Sequence, residues 1–382
     1  MHEHKHNQCK RKVKHRKNVM KLIIFCITVG ISLMFIYYQN LRKEIDARQK
    51  WLETVLTGEK KWILENQGPE GEFYMNGSKA GDVNPYFACM AALGLLAETK
   101  NCPITETEKK AVGRYLDWHT GILLETDGKM GIYRKESGKL IYKEKVDSED
   151  GYLGMYLFLM GKYLEKTENT DLPEYWKKGI SLALKKIQSL MQDGITQVSE
   201  ENTTVYLMDN LEVWKGLHEL ELAGLEDTQA ISEMRKKIQA QIENIFWDDA
   251  NQRWRIIGNS DLYDQTEFYP DGVAQIYPLI YEFPVKEKKK QKILYDQFTE
   301  KFQWQKLNKK INGFLWAMTG MAAAQMGDIN NLVELIGNYE TECCENRKYP
   351  LYTGEAGWIC MECEKLYRLY ERKIKTGFIL CA

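Results

Sequence analysis

The sequence predicts an all-α protein, an (α/α)6 toroid of six helical hairpins that follows one N-terminal transmembrane helix. Three observations predict it. The run 22–38 holds no charged residue over 17 positions. Twelve helical segments follow, alternating between helices with one apolar stripe and helices that are apolar nearly all round. The connections alternate as well, long then short, and the long ones carry carboxylates.

The first 45 residues hold ten Lys/Arg against two Glu, although the whole chain has a net charge of −1. The remainder is therefore acidic, which excludes a general nucleic-acid binder. Residues 1–21 read as a basic cytoplasmic tail, 22–38 as a transmembrane signal anchor, 39–45 as a linker and 46–382 as the helical domain. The basic flank 10–17 places the tail in the cytoplasm and the domain outside, as a single-pass protein of the cell membrane. A cleaved signal peptide has a shorter apolar region and a small-residue cleavage site, which residues 35–41 do not offer. His2, His4 and His6 alternate within Lys-rich surroundings and read as part of an irregular tail.

Helices are expected at 42–66, 85–99, 105–121, 149–166, 173–192, 206–223, 228–246, 272–282, 286–303, 312–326, 328–340 and 355–373. The first of each pair is amphipathic, as in 173–192. The second is apolar throughout, as in 85–99 and 312–326, and so belongs inside. Loops 67–84, 122–148, 193–205, 247–271 and 341–354 lead inward, whereas 224–227 and 327 lead back. In a double ring all inward loops emerge at one end, and long loops in a compact domain are usually functional. No segment shows sustained alternation, so no substantial sheet is expected. The nine cysteines are odd in number and irregular in spacing, which is no disulfide framework. Cys343, Cys344, Cys360 and Cys363 approach thiolate-metal spacing. However, the last two fall in an apolar helix, where buried Cys is common. Neither a metal nor a cofactor is expected.

The segment Asp147-Ser148-Glu149-Asp150-Gly151-Tyr152 resembles the D-S-x-D-S-Y helix start of the six-hairpin glycosidase superfamily. Phe246-Trp247-Asp248-Asp249, Phe268-Tyr269-Pro270-Asp271-Gly272-Val273-Ala274-Gln275 and Glu355-Ala356-Gly357-Trp358 add to it in order. The resemblance covers residues 46–382. It implies an (α/α)6 barrel with carbohydrate-active chemistry. Hydrolases, unsaturated-uronyl hydrolases, epimerases and lyase-related domains share that architecture. Gly151 departs from the pattern, where a hydroxyl residue is usual. The expected function is a membrane-anchored glycoside hydrolase acting on an oligo- or polysaccharide. The alternative is a non-catalytic glycan-binding or polysaccharide-assembly protein.

Glycoside hydrolysis needs two carboxyl groups, one to protonate the leaving oxygen and one to activate water or attack. Asp150 and Asp264 are the first candidates, from two different loops, with Asp147 and Asp271 as supports and Glu72 as the next choice. Helix capping competes for the first group, but a cap needs one such residue and 147–150 holds three. Asp82, Asn84 and Tyr86 stand at the second helix start and Glu355 at the last, placed to bind substrate. Asp209 and Asn210, with Glu212 one turn further, form a polar group inside an inner helix. Such a group is costly unless paired or wetted, which favours a lining role. Tyr152, Trp214, Tyr269, Trp316 and Trp358 are candidates to stack on sugar rings, as is Trp118, with only two or three of these aromatics expected in the cleft. His119 and His218 begin no inner helix, so a His acid–base pair is not expected.

Overall fold

Alternation of burial along the twelve α-helices of the described residues sets the architecture. The computed structural model describes residues 2–77, 81–137, 139–168, 172–225, 228–258, 267–307, 313–345, 347 and 351–381, without the side chains of 2–19, 22 and 376–381. The helices are α1 (His2–Glu65), α2 (Pro85–Leu95), α3 (Glu106–Glu125), α4 (Glu149–Thr167), α5 (Glu174–Leu190), α6 (Leu207–Leu222), α7 (Thr228–Phe246), α8 (Val273–Ile280), α9 (Lys288–Phe302), α10 (Thr319–Met326), α11 (Ile329–Cys343) and α12 (Thr353–Cys381).

Residues 53–366 form one compact unit. Its even-numbered helices are the inner ring. Nine of the eleven residues of α2 are buried, whereas α5 buries only a stripe at Trp176, Gly179, Ile180, Ala183, Ile187 and Leu190. That contrast separates inner from outer helices as the periodicity requires. Each inner helix from α2 to α10 packs on the next. α12 closes the ring, with Gly357 against the Met90 carbonyl of α2 and Glu362 against Gly320 of α10. The tightest demand lies between α4 and α6. A Cβ on Gly216 would lie 2.2 Å from the Gly154 carbonyl oxygen, and one on Gly154 2.7 Å from Val213 N. Only glycine lets two backbones approach this closely.

Local chemistry starts the helices. Ser148 accepts the Gly151 N–H and caps α4; Asn84 accepts the Tyr86 N–H and caps α2, with Pro85 at its first position. Thr105 and Glu108 form a capping box on α3.

Three features differ from expectation. First, the inward loops carry small antiparallel sheets: β1 (Asp82–Val83), β2 (Gly131–Glu136) and β3 (Lys139–Lys145) form one, while β4 (Met191–Gln192) pairs β5 (Ile195–Thr196) and β6 (Trp247–Asp248) pairs β7 (Arg253–Trp254). β3 is exposed along almost its whole length and its apolar residues are consecutive, so it shows no alternation. The Ser137-Gly138 dipeptide between two β-prone runs was the available signal. Second, α10 begins at Thr319, and residues 313–318 are irregular, with the backbone N–H groups of Leu315, Trp316 and Ala317 bound to Glu355. Third, the expected tail and linker are helical, and α1 runs through both. Residues 31–57 contain neither Gly nor Pro to stop it.

Residues 1–52 and 367–382 form the second unit. Its α1 segment is long and apolar enough to cross a membrane, and its apolar side chains are exposed, Phe25 at 65% and Leu33 at 62%. Ile45, Tyr367 and Tyr370 are buried in the same unit.

Candidate active site

A cavity of about 610 Å³ opens among the loops that enter α2, α4, α8, α10 and α12. Asp82, Asn84, Tyr86, Asp147, Tyr152, Asp209, Tyr269, Trp316, Glu355 and Trp358 all line it. Glu212, noted in the sequence only as part of the polar group on the inner helix, lines it too, and so do Tyr277, Glu144 and Phe314, which the sequence did not single out. Glu212 stands three residues after Asp209 on α6 and so shares its face. Tyr277 hid inside the apolar run of α8, where a single phenol looks like core.

The other candidates lie elsewhere. Asp150 is fully buried beneath the start of α4, where Ser148 Oγ donates to its Oδ1 at 2.8 Å and Thr196 Oγ1 to its Oδ2 at 2.7 Å. Asn210 is locked to the β5 strand, accepting from Thr196 N at 2.8 Å and donating to Thr196 O at 3.0 Å. Trp214 packs against His218 and Phe283 with 2% exposure. It is two residues past Glu212, on the opposite face of α6. Glu72 is buried in the first loop and accepts from Tyr74 at 2.9 Å and from Glu70 N at 3.0 Å. Asp271 is buried beside a separate groove formed with α9. Asp264 lies outside the described residues. Trp118 is core, packed on Tyr115 and Tyr133. His119 is buried 3.7 Å from Cys89 Sγ, and burial pulls its pKa down to about 3.

The carboxylates converge on the N-terminal turn of α4. A Cβ on Gly151 would lie 2.7 Å from Glu212 Oε2, 2.9 Å from Ser148 Oγ and 3.6 Å from Asp209 Oδ1. The departure from a hydroxyl residue at this position thus makes room for two carboxyls from α6. Glu212 Oε1 accepts three phenol hydroxyls, from Tyr86, from Tyr277 at 2.5 Å and from Tyr281 at 3.2 Å. Burial pushes its pKa up and the three phenols pull it down, leaving it at about 7. Burial likewise lifts Asp150 to about 6, against the bonds from Thr196 and Ser148. Asp209 is raised well above the ordinary carboxyl value by burial and then by the charges of Asp150 and Glu212. Its Oδ2 is shielded from solvent and has no hydrogen-bond partner. Asp147, in contrast, is exposed.

The remaining lining gives the cavity its shape and charge. Asp82 is bound by Arg134 at 2.6 Å and Lys143 at 2.8 Å; these bonds outweigh burial and hold its carboxyl low. Among the described residues Lys145 is the one cationic lining residue, and it pairs with Glu201 at 2.9 Å and Glu149 at 3.4 Å. One wall is aromatic. Tyr269 and Trp316 lie 4.7 Å apart by ring centroids, and Phe314 stacks on Phe87 at 5.4 Å. Trp316 has a φ of 59°, a left-handed conformation that costs a bulky residue on the order of 1–3 kcal/mol.

No protein-family model matches this sequence, and no curated protein matches it. Its similarity to solved structures is structural. A glycosidase variant in complex with glucose aligns with a TM-score of 0.57 at 12% identity, covering 86% of this chain and 98% of that one. A D-mannose isomerase gives a TM-score of 0.55 at 12% identity, covering 84% and 97%. An inactive variant of an alpha-1,6-mannanase of Salegentibacter, in complex with alpha-1,6-mannotetrose, gives 0.54 at 9% identity, covering 83% and 99%. At such identities the likeness concerns the fold, which hosts more than one sugar reaction. The chain therefore has the fold of the six-hairpin glycosidases.

Proposed function

We propose that this protein is a membrane-anchored glycoside hydrolase that cleaves an oligo- or polysaccharide outside the cell. The observation that carries the reading is Asp209, a cavity-lining carboxyl held protonated by burial and by two neighbouring carboxyls, with one oxygen unpartnered. A carboxyl whose pKa is raised and that faces a cavity suits a general acid. Asp147, the exposed carboxylate on the same cavity, is its partner as base or nucleophile. Asp264, outside the described residues, remains the alternative partner. Asp150 supports Asp209 from beneath; Glu72 and Asp271, which do not line the cavity, are given no role in this reading.

The substrate in this reading is uncharged or carries amino groups. Among the described residues six carboxyl groups line the cavity, and the one lining Lys is already paired twice. Uronate polymers would meet repulsion from those carboxyl groups that are ionised. The sugars named for the structural neighbours, glucose and alpha-1,6-mannotetrose, are uncharged. The apolar helix at 23–37 supports anchorage, and the basic residues before it support an outward-facing domain.

The test is release of reducing ends from a polysaccharide panel by the detergent-solubilised protein. The panel contains α-glucans, β-glucans, α-mannans, chitosan and polyuronates. Cleavage of a neutral or amino polymer supports the proposal. Binding without cleavage by wild type replaces it with a glycan-binding or assembly role.

A further inference from the structure

We propose that Glu355 acts as a positioning residue, a carboxylate clamp that holds the indole of Trp316 in the cavity as a sugar-stacking surface. The proposal rests on the glycoside-hydrolase reading of this cavity.

Glu355 stands in the first turn of α12 and is 4% exposed. Its Oε1 accepts the backbone N–H of Leu315 and of Trp316, each at 3.1 Å. Its Oε2 accepts the N–H of Ala317 at 2.9 Å. Three consecutive amides thus converge on one carboxylate, the concave arrangement in which backbone N–H groups bind an anion. Both of its oxygens are engaged by the loop, which leaves Glu355 poorly disposed to bind a sugar itself.

The middle residue of the three is Trp316, held at a φ of 59°. A non-glycine residue keeps this conformation only where its surroundings over-determine it, and such residues cluster at functional sites. The surroundings here are Glu355 on one side and α10 on the other. Thr319 donates both its N–H, at 3.0 Å, and its hydroxyl, at 2.8 Å, to the Trp316 carbonyl. The peptide unit is gripped at both ends, and the indole is turned to the cavity wall against Tyr269. The sequence of 312–326 favours a helix, yet the three amides that bind Glu355 lie ahead of α10, which begins at Thr319.

Hydrogen exchange and sugar binding, measured on the detergent-solubilised full chain, test the clamp. Glu355→Gln keeps the shape but replaces one acceptor oxygen with a donor facing the Ala317 N–H. Amides of the peptide spanning 313–318 should then exchange at least about tenfold faster, with α4 and α6 unchanged. Unchanged protection overturns the clamp whether or not a substrate is known. Glu355→Asp retains the charge and should restore part of the protection, which guards against a general loss of fold. For function, binding is followed with maltotetraose, cellotetraose and α-1,6-mannotetraose, and turnover with the corresponding polymers. Glu355→Gln should raise KM about tenfold and leave kcat within about threefold. In a Trp316→Leu background it should have no further effect on KM. Additive effects of the two changes would mean that Glu355 contacts sugar directly and would overturn the positioning role. A normal clamp in a wild-type protein that binds none of these sugars and cleaves none of the polymers would overturn the stacking surface together with the hydrolase reading.

Discussion

Tyr277 donates its hydroxyl to Glu212 Oε1 over 2.5 Å, joining α8 to α6 beneath the cavity. With Tyr86 and Tyr281 on the same oxygen, the proton that Glu212 carries near neutral pH belongs on Oε2, towards Gly151 and Asp209. The phenols therefore orient the carboxyl as well as stabilise its charge. Tyr277→Phe should raise the Glu212 pKa above about 7. If turnover needs ionised Glu212, the acidic limb of the pH–rate profile moves to higher pH. An unchanged limb means that Glu212 does not titrate in the reaction.

Asp209→Asn should reduce turnover by about 10²–10⁴-fold, the usual contribution of a general acid. Thermal stability should not fall, because the change removes a buried carboxyl with an unpartnered oxygen. Full activity on a confirmed substrate would remove Asp209 from the mechanism.

Asp150→Asn should act differently. Its charge is one of the causes that raise Asp209, so its loss lets Asp209 ionise at lower pH. The alkaline limb of the pH–rate profile should shift down while activity at acidic pH persists. Loss of activity at every pH, with the melting temperature retained, would make Asp150 itself the acid.

Burial raises both Glu212, to about 7, and Asp150, to about 6. The unfolded chain therefore releases these protons first. Stability linked to the two groups is full below about pH 4 and is lost as pH rises to about 7. Glu212→Gln should thus gain melting temperature relative to wild type between pH 5 and pH 8. Thermal scans across that range at constant ionic strength give the answer, and a constant difference would contradict the raised pKa.

Gly216→Ala places a methyl group 2.2 Å from the Gly154 carbonyl oxygen, where no flexible side chain can yield. Overpacking of this kind costs about 3 kcal/mol at its upper range. The variant should melt well below wild type, whereas Gly337→Ala, whose Cβ meets nothing within 4 Å, should not.

The sequence by itself determined the helices, their order and their division into inner and outer sets. Periodicity and capping are local properties, written in residues a few positions apart. Thus Ser148, Asn84 and Thr105 start helices where the pattern placed them. It also determined that inward loops carry carboxylates and that residues 22–38 form an apolar run. Only the tertiary structure decided which of those carboxylates reach the cavity. Asp150 and Asp209 are alike in type and both lie in the first turn of an inner helix, yet one is sealed under the β4–β5 turn and the other lines the cavity. Trp214 and Trp316 divide in the same way. The physical reason is rotation. Successive residues of a helix point about 100° apart, so the face turned inward depends on what packs behind it. For α4 and α6 the contact at Gly154 and Gly216 fixes that rotation, across 62 residues of sequence. For Trp316 it is Glu355, 39 residues away, that binds the backbone amide.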